Sequence, residues 1–156
     1  MTFFAFGICL FTGCWVLEAA ALQTTDIQGG ALTFRKSTTK GKLKTCVVDI
    51  QLRLAALLTD YQPAPMRALF PGMRGRKLTL TRFMADKILR AAFKELGIEG
   101  ASTHSFRRTG LTQMHRAGVP LKVIQKISSH KTLSALQKYL EVLDEDLGAA
   151  ISTLRF

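Results

Sequence analysis

A mostly α domain (α+β) with one small antiparallel β-sheet at its edge is what the sequence predicts, on three observations. Apolar residues recur at helical spacing through most of the chain. Two short runs rich in β-branched and aromatic residues flank one polar connector, the pattern of a hairpin. At 156 residues and 47% hydrophobic content the chain suffices for one domain with a sizeable core.

In chain order, residues 2–11 and 15–22 read as two helices broken at Thr12-Gly13, the first apolar all round and therefore buried. Gly29-Gly30 signals a turn. Ala31–Arg35 and Lys44–Ile50 are the expected strands, with Ser37–Lys42 as a flexible, positively charged tip. Gln51–Tyr61 returns to helical spacing through Leu52, Ala55, Ala56 and Leu57. Gln62–Lys77 reads as a loop, punctuated by Pro63, Pro65, Pro71, Gly72 and Gly75. A helix from Thr81, with Phe83, Leu89 and Phe93 as expected core residues, stops at Gly97. Ser102 or Thr103 can cap the next, about His104 to Ala117, with Gly118 just past its end. Pro120 suits the start of a helix through Leu121, Ile124 and Ile127. A short helix near Leu133–Leu140 carries Tyr139, and Asp144 can cap a last one, Glu145–Leu154.

The charge is unusual. Net charge is +11, and the bases are concentrated: residues 1–34 hold none, whereas 35–139 hold 21 against five acids. Concentrated positive charge favours a polyanion, because phosphate contacts release counterions whatever the base sequence. Arg74 and Arg76 in the loop, and Arg108, Arg116, Lys122 and Lys126 on the helices after it, are candidate phosphate contacts. The cysteines Cys9, Cys14 and Cys46 are odd in number and lack CxxC spacing, so neither a disulfide framework nor a zinc site is indicated, and a cytoplasmic location is expected. The apolar opening, with Ala19–Ala21 after it, could pass for a signal peptide. No basic residue precedes it, however, and Gly7, Thr12, Gly13 and Glu18 interrupt it, which favours a core helix.

The chemistry-bearing residues fall in one region. His104 and Arg107 are three apart, on one helical face. His130 follows, and Tyr139 comes nine positions after that. This order and spacing resembles the tyrosine recombinase (phage integrase) family, whose members carry His-x-x-Arg, then a His or Trp, then a nucleophilic Tyr. The likeness runs over nearly the whole chain. It implies DNA strand cleavage and rejoining through a 3′-phosphotyrosine, without metal or cofactor, on double-stranded DNA. Such a step needs positioned cationic donors to meet charge developing on the phosphate, and no Asp/Glu cluster with magnesium-binding spacing is present. By resemblance Tyr139 is the nucleophile, Arg107 grips non-bridging oxygens, His104 is the acid/base and His130 helps hold the phosphate. The family's hairpin lysine corresponds to Lys40, with Lys42 beside it as a DNA contact. The closing helix resembles the segment through which protomers associate.

The sequence departs from the family at one important point. The first catalytic arginine lies in a segment like Thr-Gly-x-Arg-x-x-Glu; here Thr12-Gly13-Cys14-Trp15-Val16-Leu17-Glu18 puts Trp15 in its place. Losing one such donor costs on the order of 10²–10³ in rate, so the resemblance implies an impaired enzyme. Ser129, where the family usually has Gly, and Asp49, where it commonly has Pro, are milder departures. The family's usual preceding DNA-binding domain has no counterpart, and residues 1–156 read as the catalytic domain alone. Two other readings stay open. One is a non-catalytic DNA-binding module, with 104–128 as a helix-turn-helix around Gly118-Val119-Pro120. The other is a membrane-tethered basic protein.

Overall fold

The computed structural model describes residues 2–39, 45–61, 68–72, 79–140 and 152. Lys40, Lys42, Arg74, Arg76, most of the expected 62–77 loop and, apart from Ser152, the expected closing helix lie outside them. The described elements are α1 (Thr2–Thr12), α2 (Val16–Ala20), β1 (Ile27–Gln28), β2 (Ala31–Phe34), β3 (Cys46–Asp49), α3 (Leu52–Asp60), α4 (Arg82–Glu95), α5 (Thr103–Arg116), α6 (Leu121–Ser128) and α7 (Leu133–Gln137). The mostly α architecture with a small antiparallel sheet is as expected from the sequence.

α1 is the hub. Ala5, Phe6, Ile8 and Cys9 are fully buried, and the helix packs against α5, α2 and α3. No helix among the described residues is long and apolar enough to cross a membrane. α1 ends because Gly13 takes φ +66°, a left-handed conformation that costs glycine little, and its N–H bonds back to the Cys9 carbonyl at 3.0 Å. The α1–α5 crossing is close because Gly110, in the middle of α5, has no side chain to hold the Leu10 carbonyl away.

The sheet has one strand more than expected. Gly29 and Gly30, both at positive φ, form a two-residue turn that pairs β1 with β2, Gln28 opposite Ala31. β2 then pairs antiparallel with β3, from Ala31 opposite Asp49 to Phe34 opposite Cys46. Leu32 and Phe34 point inward from β2 and join the main core with α1, α2, α3 and α4. A second, smaller core of Leu111, Ile124 and Leu136 ties α5, α6 and α7 together, and Tyr139 packs against it.

Two helical faces differ from what the spacing predicts. Phe83, expected in the core, is 77% exposed on the first turn of α4, whose buried positions are Ala85 and Leu89. Phe93 does pack against the core, stacked near Phe106. In α3, Leu52 is 86% exposed and Leu54 is the buried residue. A first-turn apolar residue fits the helical period, but it stays in water when no neighbouring element reaches that turn.

Candidate active site

The turn between α1 and α2 carries Trp15. Its backbone N–H donates to Glu18 Oε2 at 2.8 Å, so Glu18 closes the exposed start of α2 from one turn downstream. The glutamate of the Thr-Gly-x-x-x-x-Glu segment is therefore structural, fixing the direction in which residue 15 projects.

α5 supplies His104 and Arg107. The Ser102 hydroxyl accepts the His104 N–H at 3.3 Å, and Ser105 Oγ accepts the Ser102 N–H at 3.0 Å, a capping box that starts the helix just before the histidine. One turn later Arg107 is 2% exposed. Its Nη1 donates to the Gly13 carbonyl, and its Nη2 donates to the Ser128 carbonyl at 2.7 Å. Nε is buried with no hydrogen-bond partner among the described residues. Burial pushes the guanidinium pKa down from its ordinary value, and the Glu18 carboxylate opposes that shift.

His130 and Tyr139 come from the far side. α6 ends at Ser128, and Ser129 takes φ 56°, ψ 31°, turning the chain so that His130 Nδ1 lies 2.7 Å from Ser128 Oγ. Thr132 caps α7, and Tyr139 follows that helix, its N–H on the Leu136 carbonyl at 2.8 Å. The left-handed conformation at residue 129 explains why a glycine suits this position. A side chain there costs about 1–2 kcal/mol, part of which is returned because glycine loses more entropy on folding. Ser129→Gly is expected to stabilise the fold by about 0.5–1 kcal/mol, read as a small rise in Tm by calorimetry.

These elements bring the predicted residues together around Trp15. The indole meets His104 edge-on at 5.2 Å between ring centroids and Tyr139 at 6.4 Å. His130 and Tyr139 are 4.8 Å apart. Arg107 Cζ lies 4.7 Å from the centre of the Trp15 ring and 5.8 Å from that of Tyr139. The chain's other tyrosine, Tyr61, has a different setting. Its ring stacks with Phe4 and Phe70, its hydroxyl donates to the Leu69 carbonyl at 2.6 Å, and burial raises its pKa.

A cavity of about 250 Å³ opens beside Trp15 and His104, with Arg82 and Thr38 also on its wall. Neither Arg82 nor Ser128 belongs to a recurring spacing, so nothing in the sequence pointed to them. Arg108 and Arg116 on α5, and Lys122 and Lys126 on α6, are exposed, with Gly118 at φ +77° making the turn between the helices.

A guanidinium, two imidazoles and a phenol from three separate segments thus meet at one place. A model of the phage integrase family matches residues 2–146. The chain belongs to the phage integrase family. Among its relatives, a tyrosine recombinase XerC of Roseiflexus sp. (strain RS-1) is 30% identical over 142 residues, 84% of this chain and 44% of that protein. A tyrosine recombinase of Thermosipho africanus is 27% identical over 154 residues, 96% of this chain and 53% of that one. The chain thus spans about half the length of the curated relatives it matches. In solved structures the fold is similar to that of the XerA recombinase, with a TM-score of 0.81 at 20% identity over 99% of this chain and 57% of that chain. It is also similar to the XerH site-specific recombinase bound to palindromic difH substrate in a post-cleavage complex, with a TM-score of 0.76 at 21% identity over 97% and 45% of the two chains. At these identities the structural likeness is one of fold.

Proposed function

We propose that residues 1–156 act as the catalytic domain of a site-specific DNA recombinase, impaired by Trp15, on double-stranded DNA in the cytoplasm. Tyr139 attacks a backbone phosphorus, forming a 3′-phosphotyrosyl ester and releasing a 5′-hydroxyl. The ester retains the energy of the broken bond for rejoining. Arg107 meets the charge on the non-bridging oxygens, His130 assists it, His104 exchanges the proton of the attacking phenol, and Lys40 protonates the leaving oxygen. Lys42, Arg74, Arg76, Arg108, Arg116, Lys122 and Lys126 bind flanking phosphates. The C-terminal segment contacts other protomers.

The observation that carries this reading is the approach of Tyr139 to His130 and Arg107, 4.8 Å between rings and 5.8 Å to Cζ. Family membership and the fold shared with XerH, solved on its difH substrate, support it. The impairment is supported by what surrounds Arg107. Two of its nitrogens are engaged by backbone carbonyls and its face lies against the Trp15 indole, where a second guanidinium is expected from the family pattern. The Nε–H is a remaining donor, and a buried unsatisfied donor costs about 1–3 kcal/mol, which a phosphate oxygen reaching it would recover.

A second reading, DNA binding without chemistry, is favoured by the four exposed cations of α5 and α6. A nicked suicide substrate separates the two. The recombinase reading expects a low yield of covalent protein–DNA adduct that Tyr139→Phe abolishes while binding is retained. No adduct in either form, with binding intact even after arginine is restored at position 15, indicates the binding module. An abundant adduct from the native chain contradicts the impairment.

A further inference from the structure

Ser128 touches both groups expected to hold the phosphate. Its carbonyl accepts Arg107 Nη2 at 2.7 Å, and its hydroxyl lies 2.7 Å from His130 Nδ1. The residue is buried. Two more contacts define the network. Ser128 Oγ donates to the Gln125 carbonyl at 3.4 Å, and the Gln125 side-chain Nε2 donates to the His130 carbonyl at 3.1 Å. The left-handed turn at Ser129 closes the loop by setting residues 128 and 130 side by side.

A serine hydroxyl has one proton. With that proton directed at the Gln125 carbonyl, 3.4 Å away, Oγ faces Nδ1 as an acceptor at 2.7 Å and Nδ1 carries the hydrogen; with it directed at Nδ1, the ring hydrogen sits on Nε2. We propose that Ser128 is a positioning residue for His130: it fixes the neutral imidazole as the Nδ1–H tautomer and leaves Nε2 as the atom that takes or gives a proton. Free histidine favours the opposite form, so the preference is imposed by the fold. His130 then gains its second proton only at Nε2, and the imidazolium so formed still has Nδ1–H held by Ser128. This rests on the recombinase reading for its purpose, because it is the Nε2–H of the imidazolium that would contact a phosphate oxygen. The tautomer itself is a property of the DNA-free protein.

The test is long-range ¹⁵N–¹H correlation NMR of the histidine side chains in DNA-free protein, at a pH where His130 is neutral. The expected spectrum shows the His130 proton on Nδ1. Ser128→Ala, which keeps the backbone carbonyl that holds Arg107, moves the proton to Nε2, and Ser128→Thr returns it to Nδ1. A native His130 with its proton on Nε2 overturns the proposal, and that result needs no variant to fold. So does an Nδ1–H signal that persists in Ser128→Ala. Failure of the strand-cleavage reading would appear in the DNA assay and leave this spectrum unchanged, so the two failures are distinguishable.

Discussion

Trp15→Arg is expected to raise the rate of phosphotyrosyl adduct formation on a nicked suicide substrate by about 10²–10³, the usual consequence of restoring one charged donor to a developing oxyanion. The substitution acts in two ways. It supplies a second guanidinium at the turn held by Glu18, and it takes away the indole lying 4.7 Å from Arg107. The contact that is lost, a cation over an aromatic ring, contributes about 0.5–2 kcal/mol, so the variant should be slightly less stable while more active. Trp15→Gln separates the two effects, because it removes the indole without adding charge. If charge is what the site lacks, Trp15→Gln stays close to the native rate and only Trp15→Arg rises. Equal gains from both would mean that the indole obstructs the phosphate sterically.

Gly110→Ala is the substitution expected to damage the fold most. A Cβ at position 110 would stand 2.1 Å from the Leu10 carbonyl oxygen and 3.1 Å from its carbon, both backbone atoms of α1 that no rotamer change can move. The two helices must separate, and α1 is the element against which α2, α3 and α5 all pack. Overpacking of this kind costs about 1–3 kcal/mol and more where backbone atoms block relief, a large part of the roughly 5–15 kcal/mol typical of a whole domain. The variant should accumulate as insoluble protein or unfold at markedly lower denaturant. Thr109→Ala, one residue away on the exposed side of α5, should be nearly silent. Separation of α1 from α5 would also pull the Gly13 carbonyl away from Arg107, so any folded fraction of Gly110→Ala should bind DNA less well at its site.

What was legible in the sequence follows from how local each signal is. His104 and Arg107 share a face because a helix repeats every 3.6 residues, and the caps that start their helix stand directly before it. Gly29-Gly30 announced a turn for the same reason, although the two-residue strand before it carried too few residues to read. Gly110 gave only the faint sign of a glycine inside a good helix. Its reason lies at Leu10, far away along the chain, and no periodicity encodes that contact. Ser128 was silent because its contacts depend on a left-handed turn at Ser129 and on an arginine from another helix. Phe83 was misread because its spacing matched the core face while no described element covers it. The gathering of Trp15, His104, Arg107, His130 and Tyr139 was legible only through resemblance to the family. Composition and spacing alone said basic and helical.

The most direct test asks which atom takes the DNA. The chain has two tyrosines, and among the described residues Tyr139 is the one beside cationic and imidazole groups; the Tyr61 hydroxyl donates to the Leu69 carbonyl. Trp15→Arg protein trapped on a nicked substrate, digested and sequenced by mass spectrometry, should yield a nucleotide-bearing peptide modified at Tyr139. A modification at Tyr61 or at a serine, or folded and DNA-bound Trp15→Arg protein with no covalent product, would contradict the account.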